Sequence, residues 1–410
     1  MWLKSDYVDP PDTGGKLRTY NLLRELRKRC DVTYISLTSN RNLPNGDGKN
    51  SKECWASEIA TFFRPDEKKS GVGFYMRLLA RMFSSRPYIV QKYRCQSIRK
   101  LQHDLVPSSN GKPDSHNATV LVCDFLEMAD NVVWSTSFPK ILFQHNVESV
   151  IWRRYYENET NWLKQAYFWF EYQRLRRFEQ RVCNRFDLVL AVSERDKETF
   201  RAMGVTTPIE IIETGVDVEF FAPQQDVKPV PGRLLFLGSL DWMPNIDGLR
   251  WFVSEIYPRI KKACPHVTLD IVGRRPAPSV EILQRNENSI RVLGDVPDVR
   301  PHMASADIFV VPLRVGSGTR LKIFEAMAME RPVVSTTIGA EGLPLTHEKD
   351  IFLADSPATF SEQVTRLLSD PNRKNEVAEK GHRLVTENYS WANVSQKLFE
   401  VCRTIPQNHN

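Results

Sequence analysis

No stretch of this chain approaches the roughly 18 consecutive apolar residues of a membrane-spanning helix, and no charged-then-apolar leader opens it. Neither a span nor a secretory leader is expected. Histidine is scarce, with 8 residues in 410. The seven cysteines, Cys30, Cys54, Cys95, Cys123, Cys183, Cys264 and Cys402, lie too far apart to pair as metal ligands. Their odd number argues for reduced thiols in a cytoplasmic protein rather than a disulfide framework. No strong single-sign charge dominates either: 56 Lys and Arg face 50 Asp and Glu, a net +6. The excess is uneven. Residues 1–215 hold 33 basic and 26 acidic side chains, 33 − 26 = +7, and the remainder holds 23 and 24, or −1. A basic first half fits an anionic surface, an anionic acceptor, or simply a solvated basic face.

What is present fits a two-domain α/β chain, since 410 residues at 41% hydrophobic content fill more than one core. The most informative stretch runs from Val310 to Thr336. The apolar run Ile308 to Val311 reads as a buried strand stopped by Pro312. The loop Gly316-Ser317-Gly318-Thr319 follows, and then Leu321, Phe324, Met327 and Ala328 recur at helical spacing. Arg331-Pro332 ends that helix, and Val333 to Ser335 reads as the next strand. In such sheets ligands collect at the carboxyl ends of strands, against unpaired N–H groups at helix N-termini. Arg320 and Lys322 add positive charge there. Glu325, one turn into the helix, suits a sugar diol better than a phosphate.

This block, from Gly316 through Glu325-Ala326 to Pro332-Val333-Val334, resembles the donor-site signature of the retaining glycosyltransferases of family 4. The resemblance implies the GT-B fold: two doubly wound Rossmann-like domains facing a cleft. It implies an N-terminal acceptor-side domain over 1–215, joined by a last helix over 392–410, and a nucleotide-sugar domain over 216–391. In that family two Glu separated by seven residues mark the site. The second holds the donor's ribose, and Glu325 matches it. Ser317 stands where the first would approach the transferred sugar, so that contact passes to the Ser317 hydroxyl and the loop amides. After the strand Leu234 to Leu237, the family carries an Arg and a Lys that grip diphosphate. Here the loop reads Gly238-Ser239-Leu240-Asp241, with Ser239 in the Arg position. Arg274 or Arg275, with Arg320 and Lys322, are the replacement cations. Val296, in the loop after the strand Ile290 to Gly294, matches the place where the nucleotide base rests.

In the first half, Gly14-Gly15-Lys16 opens a helix, and similar family residues face donor phosphate and acceptor. By itself such a glycine pair is more simply a turn needing positive φ. His145 stands at the carboxyl end of the strand Ile141 to Phe143, where the family has a His touching the transferred sugar.

One stretch is unusual. From Trp152 to Arg185, ten aromatic side chains alternate with eight Arg and Lys. It reads as one or two long helices. Their aromatics fill the first domain's core with arginines in solvent, or rest on a membrane surface, or bind nucleic acid. The first of these is the reading favoured here, with peripheral membrane contact second and no nucleic-acid partner expected.

The resemblance implies an enzyme that moves a sugar from a nucleoside diphosphate sugar to a hydroxyl acceptor, a glycan or lipid-linked glycan, in polysaccharide or glycolipid biosynthesis. It needs no cofactor and no metal, since cations and helix N-termini can carry the leaving diphosphate. A non-catalytic nucleotide- or glycan-binding module on the same fold is the alternative.

Overall fold

The computed structural model describes residues 1–40, 46–48, 54–65, 84, 86–105, 119–159, 161–315 and 321–405. The chain divides into two compact units, Met1–Glu213 with Val394–Asn410, and Thr214–Asn393. A helix expected around Phe74 to Met82 lies outside the described residues, as does the glycine loop Gly316 to Thr319 with Arg320.

The first unit is built on an eight-stranded sheet. Its elements are β1 (Trp2–Lys4), α1 (Gly14–Leu26), β2 (Thr33–Thr38), β3 (Gly46–Gly48), β4 (Glu58–Phe63), β5 (Leu121–Asp124), β6 (Lys140–Phe143), α2 (Glu148–Asn158), α3 (Trp162–Cys183), β7 (Leu188–Ala191) and β8 (Ile209–Ile211). The strand order is β3-β4-β2-β1-β5-β6-β7-β8. All pairs are parallel except β3 with β4. Strands β1, β5, β6 and β7 are buried along their whole length, as a sheet covered on both faces requires. The sequence reading passed over β3 and β4. Glu58–Phe63 follows a long polar stretch and earns strand status only by pairing with β2 over six residues. The first helix begins at Gly14, so the glycine pair opens it as expected, and the Thr13 hydroxyl caps it by accepting from the Lys16 amide.

The second unit has six parallel strands: β9 (Arg233–Leu237), followed by α4 (Met243–Trp251), then β10 (Thr268–Val272), β11 (Ile290–Gly294), β12 (Ile308–Val311), α5 (Leu321–Ala328), β13 (Val333–Ser335) and β14 (Phe352–Leu353). Their order is β11-β10-β9-β12-β13-β14. The helix expected from Gly248 starts at Met243 instead and passes through a π-helical turn, Phe252–Ile256. Pro258, just beyond it, cannot donate into an α-helical ladder. The last helix, α6 (Trp391–Thr404), returns to the first unit, where the Ser395 hydroxyl donates to the Leu22 carbonyl and Lys397 pairs with Glu213 at 2.9 Å.

Each sheet reverses its winding once, between β1 and β5 in the first unit and between β9 and β12 in the second. Those reversals open a crevice at the carboxyl ends of the flanking strands. In the second unit the crevice floor is tightly built. The Leu240 amide donates to the Arg274 carbonyl, and a Cβ on Gly273 would collide with the Gly238 carbonyl oxygen. Gly273→Ala should therefore lower the unfolding free energy of this unit by about 1–3 kcal/mol in urea titration. Gly14→Ala, whose Cβ would meet nothing within 4 Å, should leave stability unchanged or slightly raised.

Candidate active site

At the first unit's crevice a single carboxylate gathers four donors. Asp124, the last residue of β5, is fully buried. Its Oδ2 accepts from Trp2 Nε1 at 3.0 Å, Lys4 Nζ at 3.0 Å and Thr19 Oγ1 at 2.7 Å. Its Oδ1 lies 2.6 Å from His145 Nε2. Burial pushes the Asp124 carboxyl up, but Lys4, His145 and Thr19 together outweigh it and hold the group below the usual carboxylate range. The His145 pKa is also pushed down, to about 4, by burial, which in an imidazole favours the neutral form. The imidazole is therefore neutral at pH 7. Beside an ionised carboxylate its Nε2 must donate, which leaves Nδ1 as an acceptor.

The ring is held edge and face. Phe125 stacks on it at 4.1 Å and Phe143 lies at 4.8 Å. Phe125 reaches that position with φ of 77°, a costly conformation for an aromatic residue. Lys4 Nζ sits 4.3 Å over the same ring. Gly15 is explained by this contact, since a Cβ there would approach Phe125 Cζ to 3.3 Å. Neither Gly14 nor Gly15 takes positive φ, so the turn explanation falls for both; close packing accounts for Gly15 alone. Beside the network opens a cavity of about 600 Å³, lined by Lys4, Asp6, Gly15, Lys16, Phe125 and Glu127 among others. Lys16 reaches it while paired with Asp12 at 3.1 Å.

The second unit brings together Gly238, Ser239, Arg274 and Lys322. Asn245, buried in the first turn of α4, donates to the Ser239 carbonyl at 2.7 Å. A Cβ on Gly238 would come within 2.7 Å of the Asn245 amide nitrogen. Ser239 Oγ donates to Asp241 Oδ1 at 2.7 Å, and Arg274 Nε stands 3.4 Å from the same hydroxyl. Arg274 is exposed, whereas Arg275 is paired with Asp241 at 3.5 Å. Lys322 donates to the Leu237 carbonyl at 2.8 Å and lies over the Phe236 ring. Its charge thus stands at the carboxyl end of β9.

Glu325 is partly exposed, and among the described residues its carboxyl oxygens accept no hydrogen bond. Burial pushes it up to about 7, with Lys322 pulling the other way. An acid so placed, three residues from a lysine on α5, is ready to accept two hydroxyl donors. Val296 packs as a partial wall on the apolar cluster containing Leu235 and Val311. Gly316, Ser317, Gly318, Thr319 and Arg320 lie outside the described residues.

Sequence reasoning missed Lys4, Thr19 and Asn245. Lys4 and Asp124 end two strands, which is a usable signal once strands are known. That β1 and β5 are neighbours, with residues 5–120 between them in sequence, is set by the fold.

Comparison with known proteins adds the following. A family model described as Glycosyltransferase Family 4 matches residues 13–220, and one described as Glycosyl transferases group 1 matches residues 231–370. An "Uncharacterized 44.6 kDa protein in cps region" of Klebsiella pneumoniae is 27% identical over 64% of this chain and 68% of its own length. A GDP-mannose-dependent alpha-(1-6)-phosphatidylinositol monomannoside mannosyltransferase of Mycolicibacterium smegmatis is 26% identical over 54% of this chain. That match spans 63% of the mannosyltransferase. Among solved structures, sucrose-phosphate synthase from Thermosynechococcus elongatus aligns with a TM-score of 0.66 at 15% identity, covering 99% of this chain and 98% of that one. Anabaena HepE in complex with UDP aligns with 0.66 at 14% identity, covering 98% of each. These structural likenesses show the two-domain Rossmann-like GT-B fold.

Removing the gathered carboxylate should be costly. Asp124→Ala leaves the Lys4 ammonium buried without its partner and should lower the first unit's unfolding free energy by about 3–5 kcal/mol. Lys4→Met in the same chain should restore part of that loss, as a double-mutant cycle in urea would read.

Proposed function

Since this chain belongs to Glycosyltransferase Family 4, we propose that it moves a hexose-type sugar from a nucleoside diphosphate sugar to a hydroxyl of a glycan or lipid-linked glycan, with retention of configuration. The chain is a glycosyltransferase, and the observation that carries the finer reading is Glu325. It is a partly exposed carboxylate that accepts no hydrogen bond among the described residues, one helical turn from a lysine at a strand's carboxyl end. A ribose diol supplies the two donors such a group lacks.

In this reading the second unit holds the donor. Glu325 binds ribose, while Arg274, Arg320 and Lys322 share the diphosphate with the amides of Gly316 to Thr319. Gly238 and Ser239 line the phosphate end, and Val296 backs the base. In the first unit, His145 offers its neutral Nδ1 to a hydroxyl of the transferred sugar, and Gly14, Gly15 and Lys16 serve the acceptor. The bond from the anomeric carbon to the phosphate oxygen breaks as the acceptor oxygen bonds to the same face. The acceptor proton passes to the departing phosphate. Cations and peptide dipoles stabilise that leaving group, so the proposal needs no metal and no cofactor.

The absence of a diphosphate-gripping Arg at Ser239 favours one other reading, a non-catalytic module that binds nucleotide or glycan. Purified protein that slowly releases free sugar from a donor excludes it. Two relatives bear the name of GDP-mannose-dependent enzymes, and a fold neighbour holds UDP. A thermal-shift screen of UDP, GDP and ADP sugars is therefore the first experiment.

Glu325→Ala should weaken binding of the donor found in that screen by about 1.5–3 kcal/mol, roughly ten- to a hundredfold by calorimetry. An unchanged dissociation constant removes Glu325 from the site. The carboxyl's position near 7 adds a pH signature. The ionised form accepts the diol, so donor affinity should rise as pH rises through about 7, and Glu325→Gln should flatten that slope. For stability the sign is reversed. A carboxyl with a raised folded pKa costs stability as pH rises from about 4.5 to about 7, because only the unfolded chain ionises freely there. Glu325→Gln should therefore raise the ligand-free melting temperature at pH 8 while weakening donor binding.

A further inference from the structure

We propose that the tip of the α2–α3 hairpin docks on an anionic lipid surface. The two helices pack against each other, and α3 has two sharply different faces. Toward the interior it buries Leu175, Phe178 and Val182. On the opposite face, at helical spacing, stand Trp162, Ala166, Trp169, Arg176 and Arg177, with Leu163 and Arg181 on its flank. The first turns of this face are apolar and exposed: Trp162 is 73% accessible, Leu163 60% and Trp169 49%. Tyr155 of α2 joins them at 55%. Further along, the same face turns basic, and Arg176, Arg177 and Arg181 are all exposed.

Two observations say that this face is built for contact. A cluster of rings supports it from behind, with Trp152 within 6.3 Å of Tyr155, Tyr167 and Phe168. Two of the acids that would cancel its charge are turned inward, while Glu157 stays outside, paired with Arg153 at 3.4 Å. Of the four Glu among residues 151–185, which carry eight Arg and Lys, two are buried. Glu179 accepts from the Glu148 and Ser149 amides at the start of α2, and Glu171 accepts from the Tyr88 amide and pairs with Arg174. The surface is left strongly positive beside indole and leucine side chains.

That combination selects one occupant. Tryptophan and leucine insert at the headgroup boundary while arginines meet lipid phosphates. A second copy of the chain would present the same basic strip and be repelled. Single-stranded nucleic acid calls for a groove in which bases stack, whereas these side chains crown a projecting helix end. Docking here would hold the first unit where lipid-linked acceptors lie, whichever sugar is transferred.

Co-sedimentation of the full chain tests this, using vesicles of phosphatidylcholine with about one-third phosphatidylglycerol against vesicles of phosphatidylcholine alone. The chain should pellet with the anionic vesicles, less so as salt rises. The triple change Trp162→Ala, Leu163→Ala, Trp169→Ala should weaken binding at least about tenfold, as should Arg176→Ala, Arg177→Ala, Arg181→Ala. Quenching of tryptophan fluorescence by brominated lipid reads insertion in the unaltered chain, independent of how the variants fold. A chain that stays in the supernatant, a triple variant that pellets as before, or an absence of quenching overturns the proposal. So does a dimer in size-exclusion chromatography that Trp162→Ala disperses and that ignores vesicles.

Discussion

The first unit depends on one ionised carboxylate taken out of water. Asp124 would be prohibitive at full burial without compensation, and its compensation is what joins the crevice. Lys4 and Trp2 come from β1, Thr19 from α1, and His145 from the turn after β6. The four donors come from three elements, so satisfying one charge aligns these with β5 itself at the carboxyl ends of the strands. The neutral His145, the strained Phe125 and the side-chain-free Gly15 follow from the same centre. Phe125 stacks on His145, and Gly15 leaves room beside the Phe125 ring. Groups satisfied by one shared charge hold one another in a single arrangement.

The second unit uses charge differently. Among the described residues the Glu325 carboxyl accepts no hydrogen bond, and burial pushes it up to about 7. Its neighbour Lys322 is anchored to the end of β9. An acid held near its neutral form by burial is a cost to stability. Gly238, Gly273 and Asn245 cross closely at the carboxyl end of β9, where Lys322 is anchored.

The α2–α3 hairpin shows where composition alone misleads. Its aromatics were expected in the core, and the second half of α3 obeys: Phe178 is buried. The first half does not, since Trp162 and Trp169 face outward, as does Tyr155 of α2. Alternating rings and arginines look the same in sequence whether the rings point in or out.

Periodicity and punctuation were enough for the architecture. Short apolar runs closed by Gly, Pro or a charge identify most of the parallel strands, and the spacing of Leu321, Phe324 and Met327 places α5 with Glu325 on it. Such signals are local, because a strand or helix is specified by residues within a few positions of one another. What stayed hidden was everything made by distant pairing. β4 exists because β2 lies beside it, Gly15 is needed because Phe125 swings over it, and Lys4 matters because β5 delivers Asp124 to within 3.0 Å. The order of residues thus determined which groups this protein possesses and the elements that carry them. Only the tertiary structure decided which charges meet, since that depends on strand order and burial, which no local run of residues encodes.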